Sequence, residues 1–304
     1  MYTTILAMFF QVAPLVMAMC VAGIAVLLIG GWAAKNEFAE ARGLDKITTL
    51  SNLCFAAPLA VFGAEHLFGA NALVALVPKY MPWRMFWAYF VGFALIAASL
   101  SIATKIAVRW SGLLFGIMMF LFVAMIHLPG ALASPHERII RTIVFRETSF
   151  GGGGWILAGI AMDGLRSQPK GTLITVGRIA IAAAALVFGI EHFLHPLVLP
   201  GVPLAKEIPT WVPGRVLIDY VTGAALLVAG GSILLNWKTR TVTTCVGGWI
   251  LLLVLVIYGP VLILALADPN PAAKVEGLNY FFDTMLFTGA ILSLASASPR
   301  PTNA

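Results

Sequence analysis

Two Glu-His pairs are the residues of this chain whose types and spacing could support chemistry. Glu65-His66 and Glu191-His192 each follow a long apolar run. A carboxylate beside an imidazole can relay protons, orient a quinone carbonyl through a hydrogen bond, or ligate a metal ion. The sequence leaves these three roles open.

Metal binding is the least favoured of the three roles. His192 and His195 stand three residues apart, on one helical face, which would permit two ligands to one ion. No third ligand accompanies them at a motif spacing, and Pro196 ends the helix directly after His195. The three cysteines lie in apolar runs without a Cys-x-x-Cys spacing, so they are expected to be free thiols. We therefore predict no metal site.

Apolar helices must position these pairs. Hydrophobic residues make up 60% of the chain and charged residues 11%, with a mean hydropathy of +0.95, which leaves too little polar surface for a water-soluble globule. Most charge-free runs are close to the length of about 20 residues that crosses a bilayer core. We predict an all-α polytopic membrane protein with about nine transmembrane helices. The runs are 1–34, 48–64, 85–104, 110–128, 148–162, 179–190, 220–236, 241–267 and 284–298.

The two glutamates are predicted to lie within the membrane or at its edge. The apolar runs that precede Glu65 and Glu191 are too short to cross a bilayer without including the acids. A charged group at this depth is costly, which makes it a functional candidate by default. The alternative is that the pairs cap helix ends and meet headgroup water, each paired with Arg84 or Arg215.

An internal repeat relates two halves of the chain. The hexamer 61–66 returns as 187–192, and eight further identities follow a small insertion at one constant offset. We predict an N-terminal helix and loop (1–47), a first unit (48–165), a second unit (172–298) and a tail (299–304). Four helices in each unit make the repeat parallel. The matched residues are Pro82 and Pro213, Arg84 and Arg215, Tyr89 and Tyr220, Gly92 and Gly223, Ser101 and Ser232, Arg109 and Arg240, Gly116 and Gly247, and Pro129 and Pro260.

The distribution of basic residues predicts the orientation. Of the 19 Lys and Arg residues, eleven lie in one set of alternate loops and eight in the other. The richer set is assigned to the cytoplasm, which puts the N-terminus outside and the C-terminus inside the cell membrane. Basic residues at helix ends act as lipid anchors, so no nucleic-acid partner is implied.

The second unit is predicted to gather its polar groups near the outer membrane surface. Counting at about 1.5 Å per residue puts His127 and its counterpart Tyr258 roughly 25 Å from the cytoplasmic helix ends, level with the Glu-His pairs. The predicted layer holds Glu191, His192, Asp219, Tyr258 and Asp283, with Arg215 above them as a counter-charge. The first unit offers a thinner version, made of Glu65, His66, Arg84 and His127.

Two further segments have a predictable character. Residues 134–147 alternate charged and apolar pairs at helical spacing, which predicts an amphipathic helix on the outer surface or a docking site for a partner.

The four glycines 151–154 lack the Lys-Ser/Thr of a phosphate-binding loop, so they are expected to let a helix bend or pack closely.

The second unit has a helix that ends Phe-Gly-x-Glu-His-Phe (188–193), then a Pro-x-Trp-x-Pro loop (209–213) and a helix with Tyr-x-x-Gly (220–223). In these motifs it resembles the DoxX-like family of four-helix membrane proteins. The resemblance covers nearly the whole chain after the first helix, as a tandem pair where the family has a single bundle. The first unit departs from this pattern in the loop, where Pro78 and Pro82-Trp83 stand in place of the Pro-x-Trp-x-Pro order. The resemblance implies quinone or redox association, since the family includes a subunit of thiosulfate:quinone oxidoreductase and membrane partners of oxidative-stress enzymes. The matching residues are Phe188, Gly189, Glu191, His192, Phe193, Pro209, Trp211, Pro213, Tyr220 and Gly223.

We therefore expect a membrane subunit with an outer-leaflet pocket for a quinone or similar amphipathic molecule, beside a redox partner in a larger complex. Glu191 and His192 would handle protons or hydrogen bonds, and Tyr258 and Asp283 would support them. A bound quinone or lipid is the expected ligand. A small-solute transporter and a purely structural subunit are the alternatives, and the sequence leaves open whether the chain is an enzyme.

Overall fold

A computed structural model describes residues 14–163 and 171–298, which are almost entirely helical. Eight helices in these ranges are long and apolar enough to cross a membrane, which confirms the prediction of a polytopic helical membrane protein. The ninth long helix, α5, does not meet that criterion. The predicted tail and most of the connection between the units lie outside the described residues. The long helices are α1 (Pro14–Glu40), α2 (Ser51–Phe68), α3 (Arg84–Thr104), α4 (Val108–Ala133), α5 (Arg138–Asp163), α6 (Thr172–Leu194), α7 (Arg215–Leu234), α8 (Thr239–Ala267) and α9 (Pro271–Ala297).

Helix α5 includes much of the segment that was predicted to lie flat on the membrane. It runs without a break from Arg138 to Asp163. Thr142, Glu147 and Ser149 are buried, so its polar first half packs inside the bundle. Ion pairs join this half to Glu191 of α6 and Asp283 of α9, so the segment is the start of a longer helix packed against the bundle. Its position relative to the membrane surface stays a prediction.

The helices pack in a pattern that crosses between the two units. Helix α2 packs against α1, α3 and α9, while α6 packs against α7 and α5. Helices α4 and α5 form one pair, α8 and α9 form another, and α5 meets α9 at the centre. The first helix of each unit therefore contacts the last helix of the other unit, and the core is continuous across both.

The four glycines of α5 lie where three helices approach its backbone. A Cβ on Gly152 would lie 2.9 Å from the Gly177 carbonyl oxygen of α6, and a Cβ on Gly153 would lie 2.7 Å from Ala290 of α9. On the opposite face, a Cβ on Gly154 would lie 2.9 Å from the Gly112 carbonyl oxygen of α4. The predicted close packing is confirmed, and it occurs in the middle of the helix.

A single π-helical turn interrupts both α4 and α8. The turns span Val123–His127 and Val254–Tyr258, which are separated by the same offset that relates Pro129 to Pro260. Pro129 and Pro260 each follow two residues after one of these turns, and proline has no N–H to donate to the regular helical pattern. Turns of this kind occur frequently at functional sites, and these two end on the sequence candidates His127 and Tyr258.

The loop 195–214 folds back into the end of the second unit. As predicted from its prolines, it is not helical, and it forms one isolated antiparallel bridge between Val198 and Glu207. Leu199, Val202 and Ile208 are each at most 1% exposed. The corresponding loop 69–83 is shorter. The longer loop therefore closes one end of the second unit.

Candidate functional site

The candidate residues lie toward one end of the bundle, and Tyr258 and Asp283 lie deeper along their helices than the others. This end is formed by the final turns of α2, α4, α6 and α8 and by the first turns of α3, α5, α7 and α9. The structure divides the candidates into a central ion pair, a closed cluster in the second unit and a partly open cluster in the first unit.

The central ion pair joins α5 to α9. Arg146 Nη1 donates to Asp283 Oδ2 at 2.7 Å, and Arg146 Nη2 donates to Glu147 Oε1 at 2.6 Å. Beside this group, Asn279 donates to Glu65 Oε1 at 3.1 Å. Asp283 therefore belongs to the contact between the units, and among the described residues it is not bonded to Glu191 as the predicted layer required.

Glu191 faces arginines of α5. Its carboxylate lies 3.8 Å from both Arg138 Nη1 and Arg141 Nη2, and 3.5 Å from His195 Nε2. The predicted counter-charge Arg215 instead donates to the Ile208 carbonyl oxygen at 3.4 Å. Position 215 is the first residue of α7, so its side chain lies beside the loop that precedes the helix. The charge that faces Glu191 is thus supplied by the first unit.

Arg84, the counterpart of Arg215, also bonds to its preceding loop. Its Nε donates to the Val77 carbonyl oxygen at 2.8 Å, and its Nη2 donates to the Val74 carbonyl oxygen at 2.6 Å. Among the described residues, neither of the two arginines forms an ion pair with a Glu-His pair. The alternative in which Arg84 or Arg215 neutralises the adjacent glutamate is therefore wrong.

His192 and Asp219 form a fully buried pair between α6 and α7. The Gly201 N–H donates to His192 Nε2 at 3.1 Å, so the imidazole proton lies on Nδ1. That nitrogen is 2.6 Å from Asp219 Oδ1, and both side chains have no exposed surface. The sequence predicted that these two residues lie together, and the structure shows them in contact.

Tyr258 completes the closed cluster. Its hydroxyl donates to the Pro200 carbonyl oxygen at 3.1 Å, and the side chain is 1% exposed. The Pro200-Gly201 segment thus accepts a hydrogen bond from Tyr258 and donates one to His192. Arg138 holds the same loop through the carbonyl oxygens of Pro203, at 2.6 Å, and Leu204, at 3.0 Å.

The first-unit cluster is more open. His66 Nδ1 bonds to the Phe62 carbonyl oxygen at 2.8 Å, which puts the imidazole proton on Nδ1 and leaves Nε2 as an acceptor. His127 has no hydrogen-bond partner among the described residues. Both imidazoles are half-buried, and Glu147 lies close enough to interact electrostatically with each. Among the described residues, neither of these two histidines is hydrogen-bonded to a loop residue.

Sequence reasoning missed five residues of this end. The sequence does contain a signal for Arg146 and Glu147, because they directly precede the charge-free run 148–162. Glu65 became a candidate for the same reason: it borders an apolar run that is short for a membrane crossing. Asn279 is uncharged and gave no such signal. The missed residues are Arg138, Arg141, Arg146, Glu147 and Asn279.

Comparison with known proteins adds no assignment: no family model, curated protein or solved structure matches the chain. Across residues 14–163 and 171–298, no three His, Cys, Asp or Glu side chains lie together as ligands for a metal ion. The arrangement offers hydrogen-bond donors and acceptors in an apolar bundle, and its chemistry must be argued from those groups.

Proposed function

We propose that this chain is an integral membrane subunit that binds a quinone, or an amphipathic molecule with a similar polar head, at the polar end of its bundle. A redox partner in a larger membrane complex would exchange electrons with that ligand. The proposal agrees with the resemblance to DoxX-like proteins, and it leaves open whether the chain itself catalyses a reaction.

The observation that carries the proposal is the concentration of ionisable side chains at one end of an otherwise apolar bundle. Glu147, Glu191, His192, Asp219 and Asp283 are all less than 9% exposed. Burying such groups costs free energy even when they are paired, so helix packing alone does not explain them. Small-molecule sites combine apolar walls with a few polar groups of this kind.

The two alternatives fit the position of the site less well. Transporters place their substrate near the membrane midplane, at the interface between repeats. Here Glu191 and His192 lie in the last turn of α6. Asp283, near the middle of α9, is already paired with Arg146. A purely structural subunit would not require the His66 and His127 side chains to remain partly exposed.

The test of this proposal is purification in mild detergent, followed by solvent extraction and ultraviolet absorption of the bound lipophiles. A bound quinone, or saturable binding of added decylubiquinone, is the expected result. Stoichiometric protein partners with no bound or bindable quinone would favour the structural subunit. Specific solute uptake into vesicles would favour the transporter.

We further propose nine membrane crossings, with the N-terminus outside and the C-terminus in the cytoplasm. Helix α5 is the ninth crossing. Its 26 residues span about 39 Å at about 1.5 Å per residue, and it packs along α4 and α6. The basic-residue bias supports the orientation.

Cysteine labelling tests the ninth crossing. Single cysteines would replace Tyr80 and Asp268, which are both exposed, in a chain without native thiols. Six helices separate these positions if α5 crosses, so both cysteines should react from the same side of intact cells. Labelling from opposite sides would show that α5 does not cross. A cysteine at Ile106 should react from the other side and serves as the control.

We also propose that the two units are a parallel repeat. The two π-helical turns support it, as does the matching hydrogen bond that Ser101 donates to the Ile106 carbonyl and Ser232 to the Trp237 carbonyl. Left-handed residues recur at the same offset, with Lys105 and Ala107 in the first unit and Asn236 and Lys238 in the second. An experimental structure in which the units fail to superpose helix by helix would contradict this proposal.

A further inference from the structure

We infer that the ligand's polar head binds in the first unit, between His66 and His127, and that the protein's own loop fills the corresponding place in the second unit. This inference rests on the proposed function and on the repeat. It reverses the sequence-based expectation that the second unit, with its fuller set of polar groups, holds the ligand.

The second unit shows what occupies this place. The Pro200-Gly201 segment offers a carbonyl oxygen to Tyr258 and an N–H to His192. A Cβ on Gly201 would meet Thr284 of α9 at 3.0 Å and Ile250 of α8 at 3.5 Å, so the loop reaches between these helices. A backbone segment with one donor and one acceptor thus occupies the space between the two side chains.

The first unit has the matching side chains without that segment. His66 corresponds to His192, and His127 corresponds to Tyr258. Every residue of loop 69–83 except Ala70 is half-buried or exposed, whereas residues 198–204 of the second-unit loop are all buried. In the second unit the loop satisfies His192 Nε2 and the Tyr258 hydroxyl, whereas among the described residues no loop residue bonds to His66 or His127.

The apolar residues beside the two sites also differ, and those of the first unit are less buried than those of the second. Phe122, Val123 and Ile126 of α4 are half-buried. Their counterparts on α8 are at most 4% exposed, and two of them, Leu253 and Ile257, pack in one cluster with Leu199 and Ile208 of the loop. The corresponding apolar surface of the first unit is therefore left partly uncovered beside His127. The buried counterparts are Leu253, Val254 and Ile257.

The chemistry of these groups defines the ligand. His66 Nε2 accepts a hydrogen bond, so it suits a hydroxyl group, while His127 can donate from its imidazole N–H to a carbonyl or hydroxyl oxygen. His127 lies roughly 28 Å from the start of α4, near the outer limit of a bilayer core of about 30 Å. A membrane-soluble molecule with hydroxyl or carbonyl groups on its head and an apolar tail, such as a quinol or quinone, satisfies both conditions.

Histidine footprinting tests the difference between the units without a ligand. In the purified protein, diethyl pyrocarbonate should modify His66 and His127, with the exposed His195 as the reactive reference. His192, which has no exposed surface, should remain unmodified. Modification of His192 as fast as His66 would refute the closed second unit and with it the inference.

Ligand binding then locates the site. The probe is decylubiquinone, oxidised or reduced, titrated against protein in nanodiscs. His66→Leu and His127→Leu should each raise its Kd by about tenfold, the loss of one hydrogen bond, and bound probe should protect both histidines of the wild type. Tyr258→Phe and His195→Gln should change the Kd by less than about twofold. Thermal unfolding of each variant identifies any that is misfolded.

Two failures remain distinguishable. If the wild type binds decylubiquinone but Tyr258→Phe weakens binding while the first-unit variants do not, the site lies in the second unit and only this inference is wrong. If the wild type binds neither form of the probe, the proposed function itself fails.

Discussion

Removal of Arg146 should destabilise the protein more than any other single change at the polar end. Its guanidinium bonds to Asp283 of α9 and to the adjacent Glu147, and the Arg146 and Asp283 side chains are only 17% and 9% exposed. Arg146→Gln leaves two buried carboxylates without their cation. Breaking a buried ion pair in this way costs about 3–5 kcal/mol.

Asp283→Asn is the matched comparison. It removes one charged acceptor but leaves Arg146 paired with Glu147, so the expected cost is about 1.5–3 kcal/mol, the value of a hydrogen bond to a charged group. The double variant should cost less than the sum of the two, since both changes remove the same contact. Arg84→Gln is the control: its guanidinium bonds only to neutral carbonyl oxygens, and we expect a cost of about 1 kcal/mol.

Reversible unfolding in mixed micelles, followed by tryptophan fluorescence, measures these free energies. The reasoning predicts the order Arg146→Gln, then Asp283→Asn, then Arg84→Gln. Equal costs for Arg146→Gln and Asp283→Asn, or strict additivity in the double variant, would refute the view that one cation neutralises both acids.

Two further predictions concern the loop and the helix contacts. Arg138→Ala removes the donor to the Pro203 and Leu204 carbonyl oxygens, so His192 should become reactive to diethyl pyrocarbonate. Arg141→Ala is the control: it loses a bond to the Pro135 carbonyl oxygen and should leave His192 protected. Equal protection of His192 in both variants would show that Arg138 does not hold the loop closed. Gly289→Ala puts a Cβ 2.6 Å from Phe55 N of α2 and should cost about 1–3 kcal/mol in the same unfolding assay. Gly231→Ala meets nothing within 4 Å and should be neutral or stabilising by up to about 1 kcal/mol, so a larger loss there than at Gly289 would contradict the packing argument.

The sequence predicted the helices well because lipid imposes a simple rule on them. Every run without charges long enough to cross a bilayer belongs to a helix in the described residues. The helix that failed this rule is α5, whose charges are neutralised by side chains distant in sequence, such as Asp283. Hydropathy counts each residue alone, so it cannot recognise a charge that a partner elsewhere in the chain compensates.

The candidate site was predicted in part for the same reason. Depth along a helix follows from counting residues, and it correctly put His192 level with Asp219 and Tyr258. Pairing across the bundle depends on helix packing, so the partners of Glu191 and Asp283 were not predictable. The path of loop 195–214 back into the second unit was also not predictable from the sequence, because prolines indicate where a helix ends and not where the following loop goes.

The weak hydropathy and glycine-rich middle of α5 have a consequence for biosynthesis. A segment that emerges from the ribosome with Arg138, Arg141, Arg146 and Glu147 partitions poorly into lipid alone. The groups that compensate it, α6 and α9 with Asp283, are translated afterwards. Entry of α5 into the membrane should therefore wait for its downstream neighbours, and a chain truncated after residue 163 should leave it at the bilayer surface. The orientation of the second half of this protein would then be settled only when synthesis is nearly complete.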